Sequence, residues 1–209
     1  TTSGIRFGSG MSVSSSQEIC KILGSNILFI TDKDLMSLKL TEPTLNELKK
    51  FSSKVEIFED VEADPSLKTL LNSIEIGKKM KATGVIGFGG GSSMDVAKLT
   101  SLILGSDENI EEVWGVSNAK GPRLPLVLVP TTAGTGSEVT PISIITVGEE
   151  EKKGVSSPII LPDVAILDPD LTIGLPAHTT AATGIDAMVH AIEGYASANK
   201  NNNPISKML

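Results

Sequence analysis

The chain has 209 residues, 40% of them apolar, with 18 basic against 25 acidic residues and a net charge of −7. At about 150 residues per domain this is one domain and part of a second, enough to bury a core without disulfide or metal staples. The single cysteine, Cys20, excludes an internal disulfide and any cysteine-based zinc cluster. The acidic balance, with no Lys/Arg block longer than two residues, argues against nucleic-acid binding, whose affinity comes largely from phosphate neutralisation. The longest apolar runs, such as Leu124 to Val129, fall far short of a membrane span. The N-terminus shows neither the basic nor the apolar segment of a signal peptide, so a cytoplasmic protein is expected.

Short β-branched runs alternate with amphipathic ones, the pattern of α/β units around a parallel sheet. Ser15 and Glu18 have the spacing of a capping box, ahead of a helix buried through Ile19, Ile22 and Leu23. Ile27 to Ile30 reads as a buried strand ending at the polar Thr31-Asp32-Lys33-Asp34. Leu45, Leu48 and Phe51 mark a second helix, and Val55 and Ile57 a second strand. Asp64-Pro65-Ser66 opens a third helix, with the proline in its first turn and Leu67, Leu70, Leu71 and Ile74 as its apolar residues. Val85 to Phe88 is the next strand, and Gly89-Gly90-Gly91-Ser92 leads into a helix running to about Leu104. After a loop with Trp114, Pro122 and Pro125, further strands fit at Leu126 to Val129, Ile142 to Thr146 and Val164 to Leu167. Beyond Asp168-Pro169 the texture turns helical, and Asn201 to Pro204 reads as a turn. The boundary falls near residue 172: an α/β parallel-sheet domain over 1–172, then the beginning of an all-helical domain over 173–209.

Gly89-Gly90-Gly91-Ser92 stands where a strand feeds a helix. Glycines let backbone N–H groups approach an anion, and the helix N-terminus adds partial positive charge. The stretch fits neither the G-x-G-x-x-G nor the P-loop spacing, and a tight turn is the alternative reading. Three consecutive glycines exceed what a turn needs, which favours a phosphate. Pro130 to Glu138 follows a strand in the same way and is either a second cleft wall or an ordinary loop. Asp32 is placed to accept the ribose hydroxyls of an adenosine and to repel a 2′-phosphate, or else is a solvated turn residue. Asp186 and His190 are four apart on one helix face, a spacing shared by divalent-metal ligands and by routine structural pairs. Their mixed oxygen and nitrogen donors suit Fe2+ or Zn2+. His178 lies about 12 Å of helix from Asp186, too far to share its metal, and is assigned to the helix N-terminus or the cleft wall.

Together these segments resemble the iron-containing (group III) alcohol dehydrogenases. Gly89 to Lys98 is similar to their GGGSxxDxAK segment, and Pro130 to Thr140 to their PTTAGTGSEVT segment. Asp168-Pro169, Leu175-Pro176 and Thr183 to Glu193 are similar to their DP…LP…TGxDAxxHAxE stretch. The resemblance implies an oxidoreductase moving hydride between an alcohol, or its aldehyde or ketone, and NAD(H), with a divalent metal as Lewis acid. It assigns Asp32 to the adenosine ribose, and Gly90, Gly91, Ser92 and Asp95 to the pyrophosphate side of the cofactor. Thr131, Thr132 and Thr135 line the cleft, and Lys153 reaches the ribose. Asp186 and His190 are two of four metal ligands, the others being histidines further downstream than Leu209. The resemblance also implies a small-molecule substrate and a homodimer or higher homo-oligomer. Asp64 stands where many members carry asparagine. With two ligands, the 209 residues alone are expected to be inactive. Glycerol dehydrogenase-like enzymes share the architecture but differ in the metal and second-loop motifs. A truncated, inactive nucleotide-binding module is the reading from another class.

Overall fold

The β-branched runs pair as parallel strands buried on both faces, which is why they read as continuous apolar stretches. The protein is seen in a computed structural model that describes residues 3–149 and 151–196. Its strands are β1 (Gly4–Phe7), β2 (Asn26–Ile30), β3 (Lys54–Phe58), β4 (Gly84–Gly89), β5 (Gly115–Val116), β6 (Leu126–Pro130), β7 (Ile142–Val147), β8 (Glu151–Ser156) and β9 (Val164–Leu167). The helices are α1 (Met11–Ser14), α2 (Ser16–Leu23), α3 (Lys33–Ser37), α4 (Glu42–Phe51), α5 (Leu67–Met80), α6 (Gly91–Ser106), α7 (Ile110–Val113) and α8 (Ala177–Ala196).

Six strands form one parallel sheet in the order β1-β9-β6-β4-β2-β3. The chain steps outward from β2 to β3, then returns past β2 to lay down β4, β6 and β9 in the other direction. That reversal opens a crevice beyond the C-terminal ends of β2 and β4. Side chains alternate across the sheet. Leu28, Ile30, Val85 and Leu128 pack with Leu70 and Ile74 of α5 and with Leu99 and Leu102 of α6. Ile27, Phe29, Ile86, Phe88 and Val127 pack with Ile19 and Leu23 of α2 and with Leu45 and Leu48 of α4. The Phe29 and Phe88 rings stack across β2 and β4 with centroids 5.4 Å apart. Truncating either ring in such a core costs about 3–5 kcal/mol.

A second sheet, β5-β8-β7, is built on the antiparallel β7/β8 hairpin. The amide of Thr146 donates to the Pro65 carbonyl at 2.8 Å and its hydroxyl to the Asp64 carbonyl at 3.2 Å, so the hairpin docks on the loop before α5. The charged start of β8 hides it from an apolar-run reading. Other elements depart from the sequence expectations for local reasons. Ser15 precedes α2 but its side chain caps nothing, because α1 runs directly into α2 and leaves Ser15 in a near-helical conformation. Glu18 instead pairs with Arg6 of β1 at 2.6 Å. Pro65 lies outside α5, whose N-cap is Ser66, accepting from the Thr69 amide at 3.2 Å. Phe51 and Leu71 turn outward. α8 begins at Ala177, directly after Leu175-Pro176 where helical sequence is expected, and among its described residues none is buried. Ile185, Met188, Val189 and Ile192 are exposed along it. The turn expected at Asn201 to Pro204 lies outside the described residues. Among the described residues, no helix is long and apolar enough to cross a membrane.

Asp168, just beyond β9, ties that strand to the segment that follows its neighbour β1 at one edge of the sheet. Its Oδ1 accepts from the amides of Gly10 at 3.1 Å and Asp170 at 3.2 Å. Its Oδ2 accepts from the Ser12 amide at 3.0 Å and the Ser12 hydroxyl at 2.6 Å. Burial pushes this carboxyl up, but the donors outweigh it and hold the pKa below the ordinary 3.8. A depressed folded pKa contributes stability that is complete above the unfolded value and is lost as pH falls through the folded one. Asp168→Asn is therefore expected to cost about 2–3 kcal/mol near neutral pH, the scale of hydrogen bonds to a charged group. Urea unfolding as a function of pH checks this: the gap between wild type and variant should close as the pH drops below the ordinary carboxylate range.

Candidate cofactor and metal site

β4 is fully buried and delivers Gly89 to the lip of the crevice, where the chain turns into α6. Gly89 has φ 153°, and a Cβ there would stand 2.7 Å from Ser93 Oγ, so the fold itself requires glycine. The next two glycines are different. A Cβ on Gly90 would meet Thr132 at 3.8 Å and one on Gly91 would meet Thr135 at 3.5 Å, ordinary contact distances. Neither has a positive φ. The protein's own packing leaves both positions free to carry a side chain. No side chain caps α6 at Gly90, which leaves first-turn amides of this 16-residue helix facing the crevice.

Two adjoining cavities meet at Gly91 and Ser92. The larger, about 810 Å³, is lined by Asp32, Gly90, Thr131, Thr132, Leu175 and His178, among others. Thr132 Oγ1 is buried there without a hydrogen-bond partner. Asp32 is the N-cap of α3, its Oδ1 accepting from the Leu35 amide at 2.9 Å. Burial raises its pKa, with the Leu35 amide opposing. Asp34, Glu59, Asp60 and Glu62 stand on the same wall, and the lysine among them, Lys33, is paired with Asp60 at 2.5 Å. That rim is strongly acidic.

The smaller cavity, about 400 Å³, is lined by Asp64, Asp95, Thr135, Ser137, Lys152 and His190 as well as Gly91 and Ser92. His190 Nε2 is 3.5 Å from Asp186 Oδ2, one turn back on α8. The loop after β6 holds α8 there: a Cβ on Gly134 would lie 2.1 Å from the Thr183 carbonyl, so the two backbones touch.

The structure thus brings Asp32, Gly90, Gly91, Ser92, Thr131 and Thr132 into one cleft, and Asp95, Thr135 and His190 into the cavity beside it. It does not bring Lys153 there. Successive residues of β8 point to opposite faces. Lys153 lies 3.9 Å from Glu111, whereas Lys152 faces the cavity and pairs with Asp64 at 2.5 Å. Strand alternation identifies Lys152 once β8 is known to be a strand. His178 takes both of its expected places, in the first turn of α8 and in the wall of the larger cleft.

An orphaned hydroxyl, uncapped helix amides and two glycines that packing does not demand fit a dinucleotide phosphate. The metal is fitted in part. Asp186 and His190 offer a carboxylate and an imidazole, but among the described residues no group of three or more His, Cys, Asp or Glu is placed to hold a metal.

Comparison with known proteins gives the family and agrees with the fold. Residues 2–169 match the family model described as iron-containing alcohol dehydrogenase. The chain is 38% identical over 185 residues to long-chain-alcohol dehydrogenase 1 of Geobacillus thermodenitrificans, covering 87% of this chain and 47% of that protein. An alcohol dehydrogenase from Oenococcus oeni superposes with a TM-score of 0.92 at 34% identity, over 99% of this chain and 55% of that one. Sulfoacetaldehyde reductase from Bifidobacterium kashiwanohense, solved in complex with NAD+, gives a TM-score of 0.84 at 33% identity, over 93% and 52%. The chain spans about half the length of the curated relatives it matches. With a glycine-lipped crevice at the sheet's point of reversal and a family match that runs from β1 past β9, the chain belongs to the iron-containing alcohol dehydrogenase family.

Proposed function

We propose that the protein is an NAD-dependent oxidoreductase acting on a small alcohol or the corresponding aldehyde or ketone. In this reading residues 1–172 bind the dinucleotide, and α8 begins a helical domain that carries a divalent metal, Fe2+ or Zn2+. The observation that carries it is the pair of glycines, Gly90 and Gly91, left open at the N-terminus of α6 between an acidic cleft and a cavity containing His190. Amides of the first turn of α6 hold the diphosphate, and Thr132 supplies a hydroxyl to it or to the adjoining ribose. Asp32 keeps Oδ2 for the adenosine ribose while Oδ1 stays on the Leu35 amide. Lys152, rather than Lys153, is the lysine on the cavity side, poised for the second ribose. When bound, NAD accepts or gives the hydride and the metal acts as Lewis acid toward the alcohol oxygen. Asp186 and His190 supply two of the metal's ligands, and the remainder come from outside the described residues.

The direct test is titration of the protein with NADH, followed by metal analysis after dialysis against Fe2+ or Zn2+. The expected result for these 209 residues is cofactor binding without stoichiometric metal or turnover of short-chain alcohols. Failure to bind NADH removes the proposal.

Two further outcomes follow from the cleft. NAD(H) should bind more tightly than NADP(H), because the 2′-phosphate would face Asp32 and the carboxylates around it. Asp32→Gly should narrow that ratio, read by titrating both cofactors. Gly91→Ala should weaken NADH binding by about tenfold, 1.4 kcal/mol, with little change in thermal midpoint. Gly89→Ala should instead lower stability by about 1–3 kcal/mol through backbone strain and the Ser93 clash. Thermal unfolding beside calorimetric titration separates the two glycines.

A further inference from the structure

Lys98 is an ammonium group with no exposure to solvent, a costly arrangement unless the charge is well partnered. Its Nζ donates to Ser137 Oγ at 2.8 Å and to the Ile142 carbonyl at 2.7 Å, and lies 3.6 Å from Asp95 Oδ1. Asp95, one turn earlier on α6, completes the web. Its Oδ1 accepts from Ser137 Oγ at 2.8 Å, its Oδ2 from the Ile144 amide at 3.0 Å, and its backbone carbonyl from Ser143 Oγ at 2.9 Å. Two residues of α6 therefore fasten the whole 137–144 segment to the helix. Burial pushes Lys98 down to about 8, against the opposing charges of Asp95 and Glu138, and pushes Asp95 up.

The fastened segment has a position that gives this web a purpose beyond packing. Ser137, Thr140, Ile142 and Ile144 line the smaller cavity with Ser92 and His190, and none of them lines the larger cleft that contains Asp32. Asp95 spends both carboxylate oxygens on this segment, so its work is to hold the wall rather than to meet a phosphate, which its charge would repel.

We propose that Lys98 is a positioning residue that, through Asp95 and Ser137, fixes the wall of the smaller cavity and so sets the affinity for the nicotinamide half of the cofactor alone. The proposal rests on the reading that NAD spans both cavities. A role confined to stability would weaken every ligand alike; a role in this wall spares ligands held only in the larger cleft.

The experiment is calorimetric titration of wild type and Lys98→Met with NADH and, separately, with AMP, whose adenosine and phosphate occupy only the larger cleft. The expected result is a dissociation constant for NADH raised about tenfold and one for AMP unchanged. Amide exchange at Ile144, whose N–H is held by Asp95, should accelerate in the same variant. Ser137→Ala keeps the buried charge and removes one tether, so it should show the same split more weakly; it also stands in if Lys98→Met does not fold. Ser101→Ala is the control, since its hydroxyl bonds the Lys98 carbonyl within α6 and it lines neither cavity; it should change neither constant. Equal losses for NADH and AMP, or no loss for either in both Lys98→Met and Ser137→Ala, overturn the proposal. Wild type that binds neither ligand overturns the cofactor reading itself, and this proposal with it.

Discussion

The turn from β4 into α6 is the constraint on which the rest of the site depends. A strand that ends inside the sheet must reverse into a 16-residue helix within a residue or two, and the φ of 153° at Gly89 accomplishes it. The turn aims the helix N-terminus, with its unpartnered amides, at the crevice left by the reversal of strand order. It also sets the direction of α6, so that Asp95 and Lys98 face the 137–144 segment and not the sheet. Had the turn been looser, neither the amides nor the tethers would converge on one place.

Charge is divided along the cleft in a way that the net charge of the chain does not reveal. Carboxylates crowd the end near Asp32, amide dipoles occupy the middle, and at the far end Lys152, paired with Asp64, and His190 stand beside Asp95. A ligand with a neutral sugar at one end and a diphosphate in the middle suits that ordering. The contact between the backbones at Gly134 and Thr183 matters here, because α8 is otherwise exposed. That close approach seats the helix so that His190 closes the far end.

The buried strands were legible because parallel strands covered on both sides are apolar throughout, as at Ile27 to Ile30 and Leu126 to Val129. The place of the glycine segment and Asp32 at the crevice was legible because both follow directly on strand ends. Other parts were not. β8 opens on Glu151, Lys152 and Lys153, and its pairing with β7, not its own pattern, makes it a strand. Without it, nothing in the pattern says which of the two lysines faces the cavity. The capping box at Ser15 failed because an adjoining helix had already set that residue's backbone, which no local motif records. Lys98 carried no warning: a lysine in a helix is ordinarily solvated, and its burial follows from a segment forty residues downstream folding over it. Asp168 likewise is anchored by donors at the opposite end of the chain.

The alternation of β8 has one further consequence, for changes in chain length. The turn joining β7 to β8 passes through Gly148 in a left-handed conformation and fixes which residue of β8 opposes which of β7. Adding or removing a single residue in that turn would shift the pairing by one and exchange the two faces of the strand. Removing one would offer Lys153 to Asp64, adding one would offer Lys152 to Glu111, and either would drive the buried Val155 outward. Changes of two residues keep the faces intact. The hairpin is thus read in pairs, and its length carries as much of the site as the identity of the lysine does.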